Sequence, residues 1–153
     1  HAFTTEKYLR EVTLPAVDRG LARAGRSRDD FEVSYPGFIV TGNTEEQFNA
    51  SKQAVSKQIA FYGSTPAYAP VLGVHGWGDL QPELNKLSKQ GKWDEMGTLI
   101  TDEILEQFAV VAELDEVVDK FKSRYGSLVD RTMGSLPARD DDHAKGLLAK
   151  MSA

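Results

Sequence analysis

Tyr62, Tyr68, His75 and Trp77 fall within one stretch, Gln58–Leu80, in which Gly and Pro recur between two helix-like segments. Aromatic side chains give flat apolar walls with a polar handle, so this block reads as the wall of a small-molecule pocket. Packing of the same rings on a surface insertion is the other reading. A connection of this length without periodicity of its own is uncommon in a compact domain, and long ordered loops usually carry function. Elsewhere the chemistry is sparse. Asp140–Asp142 stand beside His143, but consecutive residues point in different directions, and the run suits a helix start better than a metal site. No GxSxG elbow, P-loop or GxGxxG occurs, which removes the serine-hydrolase and nucleoside-triphosphatase readings. There is no Cys, hence no thiol nucleophile and no disulfide framework.

The chain has 153 residues, 41% apolar and 27% charged, an ordinary balance for one domain with its own core. Its formal net charge is -5, and Lys and Arg are scattered, so no footprint for nucleic acid or an anionic membrane is present. Neither an 18-residue apolar run nor a basic-then-apolar leader is found, and a cytoplasmic location is expected.

The elements that must position these residues follow from periodicity. Thr4 or Thr5 can cap a helix whose apolar positions run from Tyr8 to Ala24, with Gly25 as its stop and a kink or break expected at Pro15. Phe31, Val33 and Tyr35 alternate with polar residues before the run Phe38–Val40, which predicts a strand bent at Pro36-Gly37 and buried on both faces farther on. Thr44 and Gln47 have capping-box spacing, and a helix to about Tyr62 follows. Pro82 opens a short helix closed by Gly91, and helical spacing continues from Trp93 to Phe108. Leu114, Val117, Val118, Phe121 and Tyr125 form an amphipathic stripe stopped by Gly126, and Leu128–Met133 reads as a short strand. This order predicts parallel α/β units with two strands. Two such strands alone leave open edges that need partners.

Phe3-Thr4-Thr5 with Tyr8-Leu9-Arg10, Leu21–Arg26, Phe61–Tyr68 and His75-Gly76-Trp77-Gly78-Asp79 resemble the luciferase-like oxidoreductases, in their deazaflavin-dependent branch. Thr101–Ile104, Phe108–Val111, Leu114–Val117 and Leu128–Arg131 extend the resemblance to about Pro137. It implies an α/β fold, helix-rich, forming the C-terminal part of a (β/α)8 TIM barrel: about the last two strands with a helical insertion. A complete barrel takes about 250 residues. On this alignment 31–41 is the seventh strand, 128–136 the eighth, and 3–25 the helix after the sixth. Residues 1–137 then form the barrel portion, and 138–153 a helical tail.

The implied activity is hydride transfer or oxidation, including monooxygenation, with a deazaflavin coenzyme of the F420 type or FMN held by the complete barrel. Catalytic groups and most ring contacts are expected upstream of His1, so no catalytic residue is assigned and the chain alone is expected to be inactive. His1 and Thr4 are placed on the active-face loop as cofactor contacts, and Gly134 and Ser135 at the end of the last strand, where barrels bind phosphate. Helix capping is the competing role for Thr4. Tyr62, Tyr68, His75 and Trp77 become substrate-binding positions. Ala112-Glu113 stand where the family has Gly-Thr or Gly-Ser, which argues against a phosphate turn there. Expected partners are a small-molecule substrate and the rest of the barrel, or another chain covering the strand edges, in a homo-oligomeric parent. A stand-alone binding or assembly module derived from such a barrel is the alternative.

Overall fold

Thr5 opens the first helix, its hydroxyl accepting the Tyr8 N–H at 3.1 Å in the computed structural model, which describes residues 1–133 and 136–152. Glu6–Tyr8 (α1), a π-helical turn Leu9–Thr13 and Leu14–Ala24 (α2) run on without a break. The disruption expected at Pro15 takes another form. The Leu14 N–H reaches back to the Leu9 carbonyl, so a wide turn precedes the proline, and Pro15 sits in the first turn of α2, where a missing N–H is tolerated. Gly25 closes α2 in the left-handed conformation, with φ of 64°.

The predicted strand 31–41 is divided. Ser34–Tyr35 (β1) and Phe38–Val40 (β2) flank Pro36-Gly37, the expected bend, where Gly37 has φ of 55°. Two further strands complete the pattern, Ala109–Val111 (β3) and Arg131–Thr132 (β4). The expectation of two strands is therefore corrected to four short ones among the described residues. β1 pairs in parallel with β4 (Ser34 opposite Arg131), and β2 in parallel with β3 (Phe38 opposite Ala109). The last strand is also shorter than predicted. The Leu128 and Val129 N–H groups still turn back to the Tyr125 carbonyl, so the extended backbone starts only at Arg131.

Glu45–Gly63 (α3) is capped by Thr44, whose hydroxyl accepts the Gln47 N–H at 3.2 Å. The Gln47 amide oxygen accepts from Asn43, one residue earlier than a capping box requires, at 2.9 Å. The block read as a loop is largely helical: α3 runs to Gly63, and a 3-10 turn Pro66–Tyr68 leads into Ala69–Gly73 (α4). Pro66 and Pro70 start these short pieces, because proline is suited to the first helical turn. Leu80–Lys89 (α5), Trp93–Thr98 (α6) and Asp102–Phe108 (α7) precede β3. Val117–Tyr125 (α8) joins β3 to β4, and Asp141–Ser152 (α9) follows.

β2 divides the core. Phe38 and Val40 enter one buried cluster with Ile59, Leu84, Met96 and Phe108, whereas Ile39 turns toward Phe121, Tyr125 and Leu147 of α8 and α9. The alternation is that of a strand covered on both faces, as the apolar run Phe38–Val40 predicts. β1 differs: Tyr35 is buried, while Ser34 and its partner Arg131 are exposed. None of the described helices is long and apolar enough to cross a membrane.

Candidate functional site

The helical insertion folds back on the first residues of the chain. The His1 ring lies 4.8 Å from both Tyr62 and Tyr68, Nε2 meets the Tyr68 hydroxyl at 3.1 Å, and Nδ1 accepts the Phe3 N–H at 3.0 Å. Phe3 stacks on Phe108 at 4.6 Å. His75 lies nearly parallel to Trp77 at 4.6 Å, and its Nε2 stands 2.8 Å from the Thr5 hydroxyl. All four predicted substrate positions thus gather around residues 1–5. Tyr62, Tyr68 and Trp77 also pack on the core, which is the second of the two roles open to them from sequence.

The Thr5 hydroxyl accepts the Tyr8 N–H and keeps its own proton to donate, and a neutral imidazole with its proton on Nδ1 would receive it at Nε2. Burial, and then the Lys7 ammonium, hold the His75 pKa below its ordinary value. The neutral ring matches its role as an acceptor. Its unfolded value is about 6.5, so stability from this contact is complete above that pH and declines as the pH falls below it. A His75→Phe chain is therefore expected to lose less stability than the wild type between about pH 7.5 and 5.5, measured by urea unfolding at both. Equal losses would show that His75 does not titrate on unfolding.

Of the four cofactor candidates, His1 has both ring nitrogens engaged by neighbours. Thr4 is 8% exposed, and its hydroxyl has no partner among the described residues. Capping falls to Thr5, which leaves Thr4 free. Gly134 and Ser135 lie outside the described residues. Thr41, which sequence reasoning had only as a strand end, is 5% exposed and likewise unpartnered. It follows β2 directly, at the C-terminal end of a parallel strand, where α/β proteins bind ligands. Its single sequence signal is a polar residue closing an apolar run ahead of Gly42.

Asp140, first of the acidic run, accepts the His143 N–H at 2.8 Å and caps α9. Tyr35 and Tyr125 pack at 4.9 Å, and burial pushes both phenols upward, so neither ionises near neutrality.

Short parallel strand pairs connected through helices define an α/β protein. Residues 1–131 match the family model of luciferase-like monooxygenases, and the chain belongs to that family. It is 50% identical over 133 residues to an uncharacterized protein of Mycobacterium tuberculosis, a match covering 87% of this chain and 39% of the relative. It is 28% identical over 137 residues to 5,10-methylenetetrahydromethanopterin reductase of Archaeoglobus fulgidus, covering 86% of this chain and 40% of that enzyme. Its fold matches the coenzyme F420 dependent tetrahydromethanopterin reductase of Methanopyrus kandleri with a TM-score of 0.68 at 23% identity, over 95% of this chain and 41% of that one. The chain thus spans about two fifths of the length of these relatives.

Proposed function

We propose that this chain is the C-terminal portion of a deazaflavin-dependent, luciferase-like oxidoreductase, with residues 1–137 completing a barrel begun by an upstream segment and 138–153 an appended tail. The observation that carries this reading is the parallel pairing of β1 with β4, 97 residues apart, in a sheet whose second face bears exposed Ser34 and Arg131. A barrel places such a face inward and closes such edges against further strands. The F420 dependence of the Methanopyrus reductase supports a coenzyme of that type over FMN. The family match favours this reading over the assembly-module alternative.

The residues fit the coenzyme where they carry free polar atoms. Thr4 and Thr41 would offer buried hydroxyls to it, and Gly134 and Ser135 backbone N–H groups at the end of the last strand. His1, whose ring nitrogens are engaged by Phe3 and Tyr68, would shape this loop beside Thr4. When bound, a deazaflavin supplies the hydride chemistry. Tyr62, Tyr68, His75 and Trp77 form the substrate-side wall and exclude water from it. Catalytic proton transfer belongs to residues upstream.

Titration of the chain with F420 is expected to show no tight one-to-one binding, whereas the product of a longer in-frame gene should bind and reduce or oxidise it. Stoichiometric tight binding by the 153-residue chain would refute the assignment of most ring contacts to upstream strands.

A further inference from the structure

Helix α9 lies beyond the residues matched by the family model, yet it is anchored to the domain by specific contacts. The Asp115 carboxylate accepts from Arg139 at 2.7 Å, with His143 Nε2 3.1 Å from its other oxygen, and the Asp115 carbonyl accepts from Lys150 at 3.2 Å. Lys122 donates to the Lys150 carbonyl at 3.0 Å, and Leu147 is buried with Tyr35 and Phe121. The helix does not close completely on the strands beneath it. Between them lies a cavity of about 460 Å³ lined by Ile39, Phe121, Thr132 and Met133 on one side and by Leu147 and Met151 on the other.

Three features define what would fit. The volume lies in the range of small-molecule sites, about 300–1,000 Å³. No charged side chain is among the described lining residues, so an ionised ligand group would find no counter-charge among them. Among the described lining residues the Thr132 hydroxyl is the polar side-chain group, and it donates to the Tyr35 carbonyl at 2.7 Å, so toward the cavity it can only accept. Met133 and Leu148, each 68% exposed, stand at the lining as large apolar groups left in water, which a hydrocarbon ligand would cover.

We propose that this cavity is a binding site for an uncharged, hydrocarbon-rich small molecule carrying one O–H or N–H group, which donates to Thr132 Oγ1. The cavity is formed within this chain, and Thr132 and Met133 adjoin Gly134 and Ser135, which the proposed function assigns to the coenzyme; dye uptake tests the cavity and F420 titration tests that assignment, so either can fail alone.

The test uses N-phenyl-1-naphthylamine, a neutral aromatic amine whose fluorescence rises in apolar surroundings. The 153-residue chain should bind one equivalent saturably. Ala144→Phe fills the cavity from α9 and should weaken binding about tenfold. Thr132→Val should weaken it about fivefold through loss of the acceptor. Leu148→Glu, at an exposed position, places a charge at the lining and should also weaken binding, so the proposal stays testable if circular dichroism shows that Ala144→Phe fails to fold. 1-Decanol should displace the dye and decanoate should not. Absence of saturable binding, unchanged affinity in the folded variants, or equal displacement by alcohol and carboxylate would overturn the proposal. So would a chain that sediments as a dimer and takes up no dye, since a second copy would then cover the cavity.

Discussion

Replacing Arg124 with methionine is expected to lower the unfolding free energy by about 3 kcal/mol, because it removes charge-assisted hydrogen bonds and strands the carbonyls that receive them. α7 passes into β3 without a glycine or a turn between them, so the last carbonyls of the helix find no partner in their own segment. Arg124, on α8, supplies one. Nη1 donates to the Glu106 carbonyl at 2.7 Å and the Ala109 carbonyl at 3.0 Å, and Nη2 donates to Gln107. The guanidinium also lies 5.0 Å from the Tyr125 ring centre and 3.6 Å from Glu6. With a side chain only 15% exposed, solvent screens these contacts little. Methionine keeps the apolar stem and removes the fork, so the loss reports the hydrogen bonds rather than a cavity. Lysine should recover only part, since an ammonium cannot serve carbonyls on both arms of a planar fork. Urea unfolding of both variants is the measurement. A loss below about 1 kcal/mol would mean that water replaces the guanidinium without cost.

Local signals carried the parts of the fold whose causes are local. Thr5 and Thr44 cap helices because a hydroxyl reaches an N–H three residues on, and Gly25 ends α2 because it adopts a positive φ. The bend at Pro36-Gly37 has the same short range. β3 was hidden because Ala109–Val111 continue the apolar positions of α7 with no alternation, and only pairing with Phe38–Val40 extends them. The insertion was misread for the opposite reason. Its prolines recur without periodicity, yet Pro66 and Pro70 start helical turns. The family resemblance, carried by motifs across the whole chain, identified the class that the family model supports. The candidate site was less legible. The pairing of His75 with Thr5 spans 70 residues, and the free hydroxyl of Thr41 depends on which neighbours fail to reach it. Burial without a partner is a tertiary property, and no spacing in the chain encodes it.

Gly42→Ala is expected to destabilise the chain by about 3 kcal/mol, through overpacking rather than through backbone conformation. A Cβ there would lie 2.4 Å from the Phe48 nitrogen, 2.8 Å from the Gln47 carbonyl carbon and 2.9 Å from the Gln47 Cβ. These atoms belong to the first turn of α3 and cannot move aside singly, because Thr44 holds the Gln47 N–H and the Gln47 side chain holds Asn43. Asn43 is tied in turn to the Pro137 carbonyl at 2.6 Å. On the other side β2 is fixed by its ladder to β3. Relief therefore requires α3 to shift as a body, away from the cluster that Ile59 and Ala60 help to form. Thr41 is the adjoining residue, so the same shift would move the hydroxyl proposed to face the ligand. Gly146→Ala in α9 is the control, since open space surrounds that position and alanine favours a helix. Thermal and urea unfolding should then separate the two by several kcal/mol, with Gly146→Ala at or above the wild type. A Gly42→Ala chain as stable as the wild type would show that the β2–α3 junction yields as a unit, and that the close approach at Gly42 does not fix the position of Thr41.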